Sequence, residues 1–121
     1  MSDVPSLVSA SVQLLATLRT LDASVVEQWP AGALDGPTIV VQEIGNAHTS
    51  VPVVDDLSYQ VDVWSEDADT TRSLFAQADE LIAGTGFHRT MLSPLSVDGY
   101  GWRQTARYGR KVDKRTLRLI D

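Results

Sequence analysis

Histidine and carboxylate side chains are the first residues in this sequence that could do chemistry. The chain holds two histidines, His48 and His88, and the acidic pair Asp55 and Asp56 follows the first of them. Imidazole and carboxylate ligands together form zinc and related metal sites. The spacing contains no helical pair such as H-E-x-x-H, which would turn two ligands to one side. We therefore predict solvent-exposed histidines and no metal site.

Phosphate-binding loops and activated serines are the next candidates. Gly84-Thr-Gly86 follows a predicted helix and leads into a predicted strand, whereas phosphate loops run from a strand into a helix. This motif is therefore interpreted as a helix end and a turn. The serine-rich segments contain no G-x-S-x-G elbow. Adjacent acidic residues such as Glu66 and Asp67 point in different directions and predict solvated surface. The sequence thus predicts no catalytic residue, no cofactor and no enzymatic activity.

Length and composition predict one domain, residues 1–121, and the order of predicted elements described below makes it an α+β domain. A chain of 121 residues with 43% hydrophobic residues can bury one core. The absence of cysteine excludes disulfides, thiolate metal sites and a cysteine nucleophile. The apolar runs are far shorter than the ~20 residues of a membrane helix, and the first residues lack the basic start of a secretory signal. We expect neither a membrane segment nor a signal peptide.

Charge is distributed unevenly along the chain. The formal net charge is -6, yet seven of the ten basic residues lie in the last nineteen positions. The preceding 102 residues hold three basic and fourteen acidic side chains. This asymmetry predicts an acidic body with one electropositive edge, and such a molecule can attract copies of itself head to tail.

The elements that must position these charges follow from hydrophobic periodicity. The strongest signal is the strand Leu57 to Ser65, in which apolar and polar residues alternate. Ser65 is the expected N-cap of a helix that ends at Gly84. The other predicted elements begin with a helix over 5–22 and a turn-rich connection over 23–37, with at most a short piece of structure around Val25 to Trp29. They continue with a strand Thr38 to Ile44, a polar loop Gly45 to Pro52, and strands Phe87 to Leu92, Trp102 to Val112 and Thr116 to Ile120. Together the strands and second helix span 38–120.

This order of elements predicts an antiparallel or mixed β-sheet with both helices packed on one face. Alternation assigns a common set of polar and aromatic residues to the opposite face: Gln60, Asp62, Trp64, Arg103, Thr105 and Arg107. Two roles are equally open for Trp64 and Trp102, which we place together on this face. They are either anchors of a subunit interface or residues packed under a loop.

The basic C-terminal stretch has three possible roles. It could contact nucleic-acid phosphates, with Trp102 and Tyr108 as stacking surfaces. It could be an edge strand that lysine and arginine keep from aggregating. It could also form a subunit interface. The acidic body and the lack of a nucleic-acid-binding motif favour the second role over the first.

One family has the same order of features. The strand Leu57-Ser-Tyr-Gln-Val-Asp-Val-Trp-Ser65, the helix ending Ala-Asp-Glu-Leu-Ile-Ala-Gly84 and the following Gly86-Phe-His-Arg89 resemble the tail terminator proteins of long-tailed bacteriophages. These are also called tail completion, neck or tail-to-head joining proteins. The resemblance covers roughly residues 36 to 112, and it rests on the order and spacing of the motifs.

The resemblance implies a structural role in virion assembly. Members of the family are α+β domains that form a ring, usually a hexamer, on the end of the tail tube and present a surface to the head connector. The implied partners are copies of the chain itself, the tail tube protein and the connector or stopper protein. DNA would pass through the lumen without tight binding. The implied location is the tail-neck junction of the virion, after synthesis in the bacterial host cytoplasm.

From these arguments we predict two groups of subunit-interface residues. The basic and aromatic group would meet the acidic group of a neighbouring copy. The first group is Trp64, Trp102, Arg103, Arg107, Arg110 and Lys111, and the second is Asp55, Asp56, Glu66 and Asp67. The crowded basic run 110–115 matches no general feature of the family. It leaves open a position in another ring of the neck or head-tail connector, and a monomeric nucleic-acid-binding module is the remaining alternative.

Overall fold

The computed structural model describes residues 7–32, 34–48, 54–98, 101–113 and 118–119. Side chains are described at 12–32, 34–44, 58–97 and 101–110. Within these residues the chain forms two helices and seven strands. In chain order they are α1 (Leu7–Leu18), β1 (Ser24–Val26), β2 (Thr38–His48), β3 (Val54–Ser65), α2 (Ala68–Gly84), β4 (His88–Leu92), β5 (Ser96–Asp98), β6 (Gly101–Asp113) and β7 (Arg118–Leu119).

The seven strands form one mixed sheet. Its order is β1-β2-β3-β6-β4, and β5 and β7 also pair with β6. All described pairs are antiparallel except β1 with β2. The two parallel strands adjoin, so the chain must cross one face of the sheet between them, as parallel pairing requires. The predicted fold class, α+β with a mixed sheet, is confirmed.

Both helices cover the same face of the sheet, as predicted. Leu14, Leu15 and Leu18 of α1 are buried in one cluster with residues of α2 and of the three long strands. The spacing of the α2 members gives an apolar stripe of helical period. The remaining members of the cluster are Ile39, Val41, Tyr59, Val61, Val63, Leu74, Phe75, Ala78, Ile82, Phe87, Ala106 and Tyr108. The sheet face that carries odd-numbered β3 residues therefore meets the helices.

Helix α2 ends at Gly84 as predicted, but its N-cap lies two residues after the predicted Ser65. Asp67, not Ser65, is the N-cap, because its carboxylate accepts a hydrogen bond from the backbone N–H of Thr70. The Ser65 hydroxyl is instead 2.6 Å from the Thr71 hydroxyl. At the other end Gly84 is still helical, and the left-handed residue is Gly86, with φ of 91°. Serine and aspartate are both good caps, so sequence alone did not separate them.

A group of hydrogen-bonded side chains joins α2 to strands β4 and β6. The buried Tyr108 hydroxyl donates to Asp79 at 2.7 Å, and Arg89 lies 3.2 Å from the second oxygen of the same carboxylate. Burial, together with the hydrogen bond and the negative charge of Asp79, raises the pKa of Tyr108 well above its usual range. The group holds β4, β6 and α2 in one arrangement.

Three predicted segments have different bounds in the structure. The helix expected over 5–22 ends at Leu18, where the Thr20 hydroxyl donates to the Thr17 carbonyl and the chain turns; residues 5 and 6 lie outside the described part. The connection 23–37 contains β1. Of the polar loop expected at Gly45 to Pro52, the first four residues continue β2, paired with β3; residues 49–52 are outside the described residues. Cross-strand pairing outweighs the loop-like composition there.

Candidate subunit interface

The pairing of β3 with β6 decides on which face each basic residue lies. Its register is unbroken from Val54 opposite Asp113 to Ser65 opposite Trp102. Directly opposed residues share a face, and neighbours along a strand alternate. The predicted polar face is confirmed: Arg103 is opposite Trp64, Thr105 opposite Asp62 and Arg107 opposite Gln60.

Trp102 and Arg110 lie on the other face. Trp102 is opposite Ser65, next to the N-terminal end of α2, where the Thr71 hydroxyl donates to the Trp102 carbonyl at 3.3 Å. Arg110 is an even number of residues from Trp102 and shares its face. Our placement of Trp102 beside Trp64 was therefore wrong, because Trp102 is an odd number of residues from both Arg103 and Arg107 along β6 and lies on the opposite face.

Trp64 is buried within the chain. It is 6% exposed, and its ring lies across the backbone of Gly101, where an added Cβ would come within 2.5 Å of two ring atoms. The connection from β1 to β2 crosses the polar face of the sheet, because Trp29 of this connection stacks on Arg103. The distance from the Arg103 Cζ to the centroid of the Trp29 ring is 5.8 Å. Of the two roles proposed for Trp64, packing under a loop agrees with this burial.

Arg110 is also engaged inside the chain. It is 9% exposed, and its guanidinium donates to the carbonyl of Thr85 at the C-terminal end of α2. A cation in this place stabilises the negative end of the helix dipole. The guanidinium also fills the space beside Gly86, where a Cβ would overlap it. The position of Arg110 is that of a residue that stabilises the fold.

Arg107 is the exposed member of the described basic group. Its Nε donates to the Gln60 side-chain oxygen at 3.3 Å, and the Gln60 amide in turn donates to Asp62 at 3.1 Å. The Thr105 hydroxyl donates to the other oxygen of Asp62, which is 1% exposed. This row of hydrogen bonds holds Arg107 by one nitrogen, and the residue is exposed, so its two terminal nitrogens are suited to bidentate binding of a carboxylate.

The exposed acidic residues Glu66 and Asp67 lie in an acidic groove. We use that name for two adjoining hollows of about 400 and 330 Å³, which share Pro37 and Thr70 in their walls. Five carboxylates line them: Asp22, Asp35, Glu66, Asp67 and Asp69. Hydrogen bonds from the backbone and side chain of Thr70 lower the pKa of Asp67 below its usual value.

The sequence prediction missed three of these five residues. Asp22 precedes β1, Asp35 lies in the connection from β1 to β2, and Asp69 is in the first turn of α2. The spacing of these three residues in the sequence does not indicate that they are close in space. The parallel pairing of β1 with β2 determines how near they lie to one another. The surplus of acidic residues before position 103 was the only signal for such a surface.

The remaining predicted interface residues are described by their backbone positions alone. Asp56 is opposite Lys111 in the ladder of β3 and β6, and Asp55 is opposite Val112. Oppositely charged residues that were assigned to different copies are thus directly opposed within one chain. The side chains of Asp55, Asp56 and Lys111 lie outside the described residues.

The candidate metal ligands are distributed over separate strands. The backbone of His48 is opposite Asp55, and His88 is exposed at the start of β4. Among the described residues, no group of three or more histidine or carboxylate side chains could hold a metal ion. No helix in that same part of the chain is long and apolar enough to span a membrane.

No protein-family model matches this chain, and no curated protein matches it either.

Proposed function

We propose that this chain is a structural subunit of a phage tail, a terminator or completion protein that assembles into a homo-oligomeric ring. The observation that supports it best is the acidic groove, with five carboxylates at one end of α2, in a chain whose basic residues are concentrated at its C-terminus. A surface of each sign on one molecule suits a head-to-tail contact, which closes into a ring when the rotation per subunit permits.

The place we propose for the ring, the end of the tail tube, comes from the resemblance of residues 36 to 112 to the tail terminator family in the order and spacing of their motifs. In this proposal the ring, a hexamer, caps the tail tube and joins it to the head connector. The net charge of -6 suits a lumen through which DNA moves, because an acidic wall does not retain phosphates.

Arg107 is the residue we assign to the contact among the described basic side chains. Its guanidinium is exposed and already oriented by Gln60, so its binding to a carboxylate involves little loss of side-chain freedom. Trp64 and Arg110 are buried in the chain and are left out of the proposed contact. The nucleic-acid-binding alternative gains little from the described arginines, since Arg103 stacks on Trp29 and Arg110 caps a helix.

Light scattering after size-exclusion chromatography tests the proposal. A ring has several times the 13.2 kDa mass of the chain, and its mass should fall as salt is raised. Arg107→Glu and Asp35→Arg should each weaken assembly, and the double variant should restore part of it. The control is Arg19→Glu, a charge reversal at an exposed arginine outside the strands.

A monomer at high concentration and low salt would refute the ring. Negative-stain images of the protein with purified tail tubes test the location, since rings at tube ends are expected. A salt titration of DNA binding tests the alternative: affinity that falls steeply with salt would favour a phosphate-binding strip.

A further inference from the structure

Two strands of the described sheet have an outer edge with no partner among the described residues. β1 pairs with β2 at Thr38 to Val40 only, so the outer edge of β2 is open from Val41 onward. β4 pairs with β6 on one side, and its other side is open. Unpaired strand edges are ready templates for the addition of another strand.

The two open edges lie at the same height in the sheet. The ladders connect Val41 through Val61 and Ala106 to Leu92. At their upper ends they connect Gly45 through Ser58 and Gly109 to His88. Each of the three pairings is antiparallel, so β4 runs opposite to β2. If a second copy is translated within the plane of the sheet, perpendicular to the strands, its β4 lies antiparallel to β2 of the first copy. The two strands are then level with each other along their length.

Exposed apolar side chains occur on both edges. Among the described side chains four large hydrophobic residues are exposed, and two of them are Ile44 on β2, at 43%, and Leu92 on β4, at 44%. Glu43 is exposed on β2, and the Arg89 side chain of β4 is 40% exposed. Apolar and oppositely charged cross-strand neighbours each stabilise an antiparallel pair.

We propose that β2 of one copy pairs with β4 of the next, so that a second copy of this chain occupies each open edge. This inference rests on the proposed ring and adds strand pairing to the contact between its copies. Facing residues would be Val41 with Leu92 and Gln42 with Met91, and in each pair both residues belong to the same face of the sheet.

The irregularities of the two strands fit this pairing. β2 has a register shift between Glu43 and Gly45, and β4 has one between Arg89 and Met91. The ladders place the two shifts within a residue of the same height. A bulge bends a strand and discourages pairing with a regular strand. Two edges with bulges at nearly the same position can bend together, so they pair better with each other than with a regular strand. The shifts also confine the regular ladder to the short segment around Gln42 and Met91.

Cysteine cross-linking tests the contact, because the chain has no cysteine of its own. Gln42→Cys and Met91→Cys variants, mixed in equal amounts and treated with a short bis-maleimide, should give a covalent dimer that neither gives alone. Ala76→Cys, on an exposed position of α2 outside the acidic groove, replaces Gln42→Cys as the control and should give none. Light scattering on the same samples reports the ring.

Charge insertion at the exposed apolar sites gives an independent measurement. Leu92→Lys should weaken self-association about tenfold, the factor that corresponds to ~1.4 kcal/mol. Val12→Lys is the control, since Val12 is 59% exposed but lies on α1, outside the strand edges, and it should leave the mass unchanged.

The outcomes separate this inference from the proposed function. A ring that forms without the mixed cross-link, or that tolerates Leu92→Lys as well as Val12→Lys, overturns the strand pairing and leaves the ring. A monomer overturns both. The mixed cross-link, with loss of mass in Leu92→Lys only, supports both.

Discussion

Tyr108 gives the sharpest test of the fold, because its hydroxyl should stabilise the protein at neutral pH and cease to do so at alkaline pH. The side chain is 1% exposed, and it donates to Asp79 at 2.7 Å. Tyr108→Phe removes one hydrogen bond to a charged acceptor, which is worth about 1.5 to 3 kcal/mol. The lower end, about 1.5 kcal/mol, applies here. In the variant the Asp79 carboxylate would still have its ion pair with Arg89 and would still be partly accessible to water.

The pH dependence follows from the raised pKa of Tyr108, caused first by burial and then by Asp79. The unfolded chain releases this proton near pH 10, whereas the folded chain retains it. Stability from the group is therefore complete below pH 10 and falls as pH rises. With the folded tyrosine still protonated, linkage removes about 1.4 kcal/mol by pH 11.

Urea unfolding of the two proteins at pH 8 and pH 11 measures the effect. Tyr108→Phe should be less stable than the parent by about 1.5 kcal/mol at pH 8 and by almost nothing at pH 11. Other titrating groups cancel, because they are common to both proteins. An equal difference at the two pH values would refute the coupling of the buried hydroxyl to Asp79.

Three further changes separate structural from surface roles. Gly101→Ala should destabilise the chain by about 1 to 3 kcal/mol, since the new Cβ would overlap the Trp64 ring; tryptophan fluorescence and thermal unfolding report it, and an unchanged spectrum would contradict the packing. Arg110→Met should lower stability by about 1 kcal/mol, seen in urea unfolding, whereas Arg107→Met should not; equal effects would contradict the burial of Arg110. Asp67→Asn should lower the melting temperature at pH 7 but not at pH 2. The pKa of Asp67 is lowered in the folded protein, so its charged carboxylate stabilises the fold at neutral pH, and this stability is lost as the carboxylate is protonated in acid. An equal loss at both pH values would contradict this.

The alternation along β3 and the apolar stripe of α2 were sufficient to predict the sheet, its second helix and the polar face. Local periodicity determines these features. The same reasoning could have placed Trp102 and Arg110 correctly, because both are an even number of residues from Ala106. We grouped them with Arg103 by charge and proximity in sequence, and that grouping was wrong for Trp102.

The burial of Trp64 and the acidic groove depend on contacts that no local pattern contains. The chain between β1 and β2 has the composition of an open turn, yet it crosses the polar face with Trp29 over Arg103. This crossing follows from the parallel pairing of β1 with β2. The sequence indicated at most a short piece of structure near Val25, and no local pattern identifies its partner strand. Long-range pairing, not composition, decides which polar-face residues remain exposed.

The structure also changes how the basic strand has to be tested. Arg107 and Arg110 are three positions apart, but one is exposed on the polar face and the other is buried at the end of α2. A variant that reverses both charges would lose fold stability and a surface contact together, and its failure to assemble would have two explanations. If Arg107→Glu reduces the assembled mass at an unchanged melting temperature, the loss belongs to the contact between copies. If only variants of Arg110 reduce the mass, and only as far as they unfold the chain, the electrostatic contact assigned to this strand is absent.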